Sequence, residues 1–436
     1  MASDPLVLSD TDISGVLKRM YSGFRSKVFP ISTPLLANIE KGTKGGSRNL
    51  RWGGEGIYFD AVLTRPVGMT ASTGGYFPPH SAATEKQGSI DIKRLYVNRR
   101  IDGLAIAGTT SKEAAYIALG RKIIEEAKDA AKLGMQEVGH GNGLAIKAII
   151  SSSADTTHCV VTSPYGIVGA GQGGLLLDVG MYVAVLDTTG VTVRGRATIS
   201  NVANSGDNAT LTLDTAVAGM VSTDIVVAAT ASDTSYNSFP NGLTNLLNRG
   251  GSYNSIHGIS AGTYARWDAV RLATGSFGID ANNPNEMDIW ELATQVAAKS
   301  GKDAKLKSGE FLLLTTPGLE KKFAESFLGQ RRWMAENNPT LKGGFKGVNV
   351  CGITMVSDFW CPSGTVYLVH LPSLIWVDAK DWGQVQYESA GAWRWVAGRD
   401  AFETNWATYV NLATVMRNAS GLITGYTDTG RYTHVM

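Results

Sequence analysis

The stretch TSKEAAYIALGRKIIEEAKDAAKLGMQEVGHGN, residues 110–142, decides the fold, because it reads as one long helix with a marked start and a marked stop. Thr110 followed by Glu113 is a capping box, in which the Thr hydroxyl accepts from an early helical amide and the Glu carboxylate reaches back to the cap amide. Ile117, Gly120, Ile124, Ala127, Ala131, Met135 and Val138 recur every three or four residues, forming an apolar stripe that must pack on something. Arg121, Glu125, Lys128, Asp129 and Lys132 make the other face, with opposite charges at mutually stabilising spacings. Gly139-His140-Gly141-Asn142-Gly143 ends the helix, since each glycine inside one costs about 1 kcal/mol. At about 1.5 Å per residue the rod is roughly 43 Å long.

Working outward, 436 residues leave room for two or three domains and a large core. Forty basic against 38 acidic side chains leave a net charge of +2, without the global field that collects nucleic acid, which disfavours a dedicated DNA-binding role. Cys159, Cys351 and Cys361 are too scattered for a disulfide framework and lack metal-ligand spacing, so they read as small buried hydrophobes in a reducing compartment. Residues 1–12 show neither a basic start nor an apolar run, and no apolar run nears the roughly 18 residues of a membrane span. The expectation is a soluble protein made in a cytoplasm, with no membrane partner.

Before the long helix, Ser9 to Phe24 carries apolar residues at helical spacing, and Lys41 to Ser47 reads as an extended arm. Ile57 to Leu63 and Ile90 to Ile101 read as the two strands of a long hairpin, joined by the Gly/Pro/Ser/Thr-rich stretch Arg65 to Ser89. The second strand is very basic and reads equally as a solvated edge or a charged contact with a neighbour. Beyond the helix, Met181 to Leu186, Val191 to Asn201, Ala209 to Asp214 and Asp224 to Ala229 read as short strands of a small all-β module. The chain then turns α/β. Gly262 to Ala273 reads as helical, and Asn283-Pro284-Asn285-Glu286 as a cap with Pro in the first helical position. Phe311 to Leu314 is a buried strand and Thr316-Pro317 opens a helix to about Leu328. Strands follow at Thr354 to Val356, Thr365 to Val369, Gln384 to Tyr387, Trp393 to Val396 and Trp406 to Val415.

Chemistry is sparse. Gly169-Ala170-Gly171-Gln172-Gly173-Gly174 has dinucleotide-type glycines but a β pattern where a helix should follow. Gly258-Ile259-Ser260-Ala261-Gly262 matches the serine-hydrolase elbow without an apolar strand before it, leaving Ser260 as the candidate of a hydrolase alternative. The histidines form no pair with helical metal-ligand spacing. The reading is not an enzyme, with no catalytic, metal or cofactor residues.

The order of parts, with the helix at Thr110 to Asn142, the run Val356-Ser357-Asp358-Phe359-Trp360-Cys361-Pro362-Ser363-Gly364-Thr365-Val366-Tyr367-Leu368-Val369, and the strand Asn405 to Asn418 with its closing segment Gly421 to Gly425, resembles the major capsid proteins of tailed bacteriophages. That fold is shared with herpesvirus capsid floors and encapsulins. The resemblance implies an α+β subunit with an N-terminal arm (1–49), an extended hairpin or E-loop (50–104), a spine helix and peripheral domain (105–145), the start of an axial domain (146–158), an inserted β-barrel or sandwich module (159–232), the axial domain (233–375), peripheral-domain strands (376–418) and a closing axial segment (419–436). It departs from the minimal pattern in that insertion.

What the resemblance further implies is a structural virion protein, made in the host cytoplasm, that forms homo-pentamers and homo-hexamers of an icosahedral shell around double-stranded DNA. A portal and a separate scaffolding protein are implied partners, and a decoration protein is a further one. An encapsulin-like compartment with cargo enzymes is the alternative that shares the fold. Intersubunit candidates are Trp52, Tyr58, Phe59, Lys93, Arg94, Arg99 and Arg100, with packing inside the hairpin as the competing reading for the aromatics. Arg121, Lys122 and Lys128 are candidates to face DNA through its phosphates, against which stand the helix's own ion pairs. Some relatives crosslink a hairpin lysine to an asparagine; Lys86 and Lys93 lie in that region, and ordinary surface lysines are the default reading.

Overall fold

The structure, a computed structural model of the chain, describes residues 7–8, 35, 38–43, 51–52, 57–65, 82–103, 113–153, 155–165, 172–247, 255–326, 348–385 and 393–428. Its longest strand, Ala401–Thr414, lies inside a six-stranded sheet. Lys93–Asp102 pairs with it antiparallel on one side and Leu374–Gln384 on the other, and the short strands Val7–Leu8 and Glu40–Thr43 extend the two flanks in parallel. Arg394–Trp395 adds to the start of the long strand, where Leu374–Gln384 has ended. Threonine and aromatic residues in alternation suit such a pleated surface, and Thr404, Thr408 and Val410 on one face are fully buried or nearly so.

The helix Glu113–His140 covers that face. Val138 and Met135 pack with Leu95, Val410, Leu412 and Trp376 of the sheet, and Ala127 and Ala131 of the expected stripe are buried as well. The cap at Thr110 and the side chains of Ile117 and Gly120 lie outside the described residues, as do the helix read over Ser9 to Phe24 and most of the hairpin tip.

A second six-stranded sheet runs in the order Val270–Ala273, Gly421–Thr424, Thr365–His370, Phe311–Thr315, Ile353–Ser357, Val348–Val350. The helices Glu286–Ser300 and Pro317–Ser326 pack on it through Ile289, Leu292, Val296, Leu319 and Phe323. Asn285 caps the first of these in a full capping box with Asp288. The turn Pro362-Ser363-Gly364 needs its glycine twice over: φ is +68°, and a Cβ would sit 2.4 Å from the Tyr426 carbonyl oxygen.

Between the two sheets in sequence stands a closed six-stranded barrel: Ile146–Ser153, His158–Thr162, Tyr182–Leu186, Val193–Ser205, Asn208–Leu213 and Ile225–Ala228. Its first and last strands pair with each other, Ile149 opposite Ile225, so the chain enters and leaves at one place.

Several expectations are corrected. The return strand of the hairpin is Glu85–Ile90, paired residue by residue with Ile57–Val62, while the basic run at Ile90 to Ile101 is a separate strand in the long sheet. Periodicity identifies a strand but not its partner, and Asp91 and Ile92 break the two apart. The barrel begins at Ile146, upstream of the boundary expected at 159, because Ile146–Ser153 and His158–Thr162 close it. Gly262 to Ala273 is a set of turns leading into the strand Val270–Ala273, parallel to Gly421–Thr424. Pro284 precedes the cap residue instead of following it. Of the strand expected at Gln384 to Tyr387, Gln384 ends the strand Leu374–Gln384, and Gln386 and Tyr387 lie outside the described residues.

Candidate functional site

The hairpin base is built from an alternating strand whose inward side chains are Ile57, Phe59 and Ala61. Phe59 lies over Gly88 across the pair, where a Cβ would come within 2.4 Å of the ring. On its other side the ring stacks on Trp267 at 6.0 Å and meets His257 edge-on at 5.7 Å. The same cluster takes in Ile375, Val377 and Ala413 of the long sheet. His257 also bonds through its backbone and its ring: its carbonyl accepts from the Ser89 amide at 3.0 Å and its Nε2 accepts from the Thr414 amide at 3.3 Å. Burial lowers its pKa to about 4, so the ring is the neutral acceptor this geometry needs. Phe59, 2% exposed, is therefore spent inside the subunit and is withdrawn as an intersubunit candidate. Tyr58 is half-buried on the other face, beside exposed Asp60 and Val62, and the side chain of Trp52 lies outside what is described.

The basic strand shows its polar side on the sheet face opposite the long helix. Arg94 lies opposite Tyr409, Tyr96 opposite Ala407, Asn98 opposite Asn405 and Arg100 opposite Glu403. Arg94 and Lys380 sit 5.8 Å and 5.6 Å from the Tyr409 ring centroid, a double cation–π arrangement. Tyr96 is 60% exposed beside them. Arg100 is bound at 3.1 Å to Glu403, which also takes Arg394 and Asn98. Burial pushes the Glu403 carboxyl up, but those three donors outweigh it and hold the carboxyl below the usual range. Arg100 thus also serves its own sheet. Arg99 and Lys93 are half-buried, with Lys93 donating to the Asn237 carbonyl. Lys86 belongs to the hairpin strand, 5.4 Å from the Tyr264 ring centroid.

Three buried polar contacts escape sequence reading. Lys147, at the barrel's first strand, pairs with Glu137 of the long helix. His140, the last residue of that helix, meets Asp358 at 2.9 Å, which ties the helix end to the second sheet. Arg417, fully buried, donates to the Leu246 carbonyl at 2.6 Å and stands 3.5 Å from Asp268. The last two join residues more than 140 positions apart, so no local pattern could announce them. On the long helix Lys128 is exposed, and the side chains of Arg121 and Lys122 lie outside what is described.

Ser260 stands on a hairpin of two-residue strands, Ser255–Ile256 and Ile259–Ser260, whose turn residues His257 and Gly258 both have positive φ. Turns follow it, not the helix that an elbow requires, and the nearby imidazole accepts from the Thr414 amide. The glycines ending in Gly174 lead into a single 3-10 turn, with residues 169–171 outside the described part. Cys159 and Cys361 are buried and Cys351 half-buried, and burial raises all three thiols, Cys159 to about 11 and Cys351 to about 12. Among the described residues no acidic, histidine or cysteine cluster has the makings of a metal site, and no helix is long and apolar enough to cross a membrane.

No protein-family model matches the chain, and no curated protein is similar to it in sequence. Solved structures are. The capsid subunit of cyanophage A-1(L) is similar over 96% of this chain and 100% of its own, with a TM-score of 0.55 at 13% identity. The capsid of Myoviridae phage XM1 follows at 94% and 97%, 0.48 and 10%. An encapsulin from Synechococcus elongatus is similar over only 44% of this chain and 63% of its own, at 0.28 and 14%.

Proposed function

We propose, from a chain that has the tailed-phage major capsid fold along nearly its whole length, that this protein is the coat subunit of a phage head. The observation that carries the reading is end-to-end coverage of both chains at a TM-score of 0.55, with the order of helix, sheets and closing strand expected from the sequence. In this reading Glu113–His140 is the spine helix, the hairpin at Ile57–Ile90 is the E-loop, the long sheet is the peripheral domain and the second sheet the axial domain, with the barrel inserted between them. Subunits form pentamers and hexamers that close around double-stranded DNA. Interfaces of this heterologous kind order arms and hairpins that one subunit leaves without support. Tyr58, Trp52, Lys93, Arg94, Arg99 and Arg100 remain candidates to touch a neighbour, and Arg121, Lys122 and Lys128 to face DNA phosphates. A portal and a separate scaffolding protein complete the assembly.

Sedimentation velocity with negative-stain microscopy on the expressed full chain tests this. Closed particles, or rings of five and six, are expected; a compact monomer that stays monomeric when concentrated with its scaffold would refute it. An encapsulin-like shell would reveal itself by carrying protein cargo in place of nucleic acid.

A further inference from the structure

Resting on that reading, we infer that neighbouring copies of this chain join head to tail through two unlike grooves at opposite ends of the helix Glu286–Ser300, an acidic aromatic groove at its start and a basic one at its end. The charge is divided between their linings: the first holds Glu286, Asp288 and Glu291 and no lysine or arginine, the second Arg65, Arg266 and Lys299 against Asp60 alone.

The first groove has Phe277, Met287 and Trp290 as walls, 66%, 68% and 46% exposed. Single exposed hydrophobes are ordinary, but three around one concavity with a charged rim mark a place that another surface covers. Glu286 and Glu291 form the rim. The Cys351 amide fixes the first at 3.2 Å and Gln295 the second at 2.8 Å, and a carboxylate so held keeps lone pairs for a further donor. Trp290 is steadied by Lys305, whose Nζ lies 4.2 Å from the ring centroid.

The second groove lies where the helix ends, between Gly301, the hairpin base and Met416. Arg65, Arg266 and Lys299 line it against the single carboxylate of Asp60, and Val62, 66% exposed, supplies an apolar wall. The two grooves lie toward opposite ends of a helix of fifteen residues, roughly 22 Å long at about 1.5 Å each. Either groove set against its own copy would place like charges together. A head-to-tail contact sets Glu286 and Glu291 against Arg65 and Arg266, and repeated head-to-tail contacts close into rings. The apolar walls supply the attraction, and the rim charges select the partner and its orientation.

The full-length variants Glu291→Lys, Arg266→Glu and Trp290→Ala, compared with wild type by sedimentation velocity across a concentration series, test the contact. All three positions are at or near the surface, so the folded subunit persists, and circular dichroism checks that it does. Each variant is expected to raise the concentration for half-maximal oligomer about tenfold, equal to about 1.4 kcal/mol per contact. An equal mixture of Glu291→Lys and Arg266→Glu subunits recovers toward wild type, because the reversed rim of one fits the reversed groove of the other. Wild-type oligomers with unchanged variants, or no recovery in the mixture, overturn this contact and leave the shell reading standing. A wild type that forms no oligomer overturns the shell reading and this contact with it.

Discussion

The barrel and the sheet-and-helix body that carries it hold together by different means. The barrel has a dry core in which Ala148, Ile150, Val161, Val183, Leu211 and Val226 are all essentially unexposed, supplied by strands that close on one another within residues 146–228. The barrel's ion pair of Arg194 with buried Asp224 is made within that same stretch, whereas the body buries ionised or hydrogen-bonded groups with distant partners: Arg417 with Asp268, His140 with Asp358, Glu403 among two arginines and Asn98. Its strands are recruited from residues 93 to 102 and 401 to 414, some 300 positions apart. Local contacts let a module stand almost alone, whereas a buried polar group is satisfied only when every distant partner has arrived. In the body those polar contacts fix one arrangement of helix and sheets.

The tryptophans give a clean way to separate the two, since all 10 lie outside residues 146–228 and report on the body alone. The largest effect is expected for Arg417→Met. It leaves the Leu246 carbonyl without its donor and takes one cation from buried Asp268, which keeps Arg271 at 2.9 Å. Breaking a buried pair of this kind costs about 3–5 kcal/mol. Urea unfolding followed by tryptophan fluorescence should show the loss, while barrel amides keep their hydrogen-exchange protection. A loss under about 1 kcal/mol would refute the role given to Arg417.

Leu211→Ala reverses the pattern. It opens a cavity in the barrel core, at about 3 kcal/mol, and should speed exchange of barrel amides while the tryptophan transition stays in place. If that transition moves by the same amount, the two regions unfold as one unit and the contrast fails.

Acid should distinguish them next. The ring of His257 is held neutral, with its pKa lowered to about 4 from the ordinary 6.5. Between those values the unfolded chain takes up a proton that the native ring refuses. The stabilisation is therefore complete above pH 6.5 and drains away as pH falls toward 4, by about 3 kcal/mol in all. The barrel's own histidine, His158, is partly exposed beside Asp155. Urea midpoints read by tryptophan should fall between pH 6.5 and 4 while barrel protection holds. His257→Gln, whose amide oxygen can still accept from Thr414, should flatten the profile.

What could be read from the sequence follows the same division. Four of the six barrel strands were legible because each is rich in apolar and β-branched residues and bounded by turns such as Asp187 to Gly190. The other two were not. Ile146–Ser153 ends in three serines facing solvent, and its apolar half, Ala148 to Ile150, is too short to separate from a helix end. In the body, the long helix and the strand Ala401–Thr414 announced themselves by period and length. Which strand pairs with which did not, since Lys93–Asp102 looks the same whether its partner is the hairpin or a strand 300 residues away. The surface candidates fared by the same logic: Phe59 was a visible anchor, but only the fold reveals that Trp267 and His257 have already taken it. The polar pairs His140–Asp358 and Arg417–Asp268 left no local trace, because their spacing in the chain is set by topology alone.

The smallest effect on the body should come from removing the barrel. Ile149 and Ile225 are directly opposite in an antiparallel pair, so replacing residues 150–224 by Asn-Gly converts the two stubs into a hairpin with a turn of the preferred type. The cut keeps Lys147, and with it the partner of Glu137, whose burial without that cation would be costly. Both members of the ion pair Arg194–Asp224 leave together, so neither charge is stranded. At the stub the cut forfeits the bonds from the Ala229 amide to the Tyr182 carbonyl and from the Tyr236 hydroxyl to the Thr189 carbonyl, and nearer the body the bond from the Ser363 amide to the Tyr165 carbonyl, at the turn before Thr365–His370. A single hydrogen bond of that last kind is worth about 1 kcal/mol. The tryptophan-detected transition should accordingly shift by about that much and remain cooperative, and the shortened subunit should still form the oligomers of the full chain. Loss of the cooperative transition would show that the body leans on the barrel for folding; an intact transition with lost oligomers would show that the barrel is itself a contact between copies.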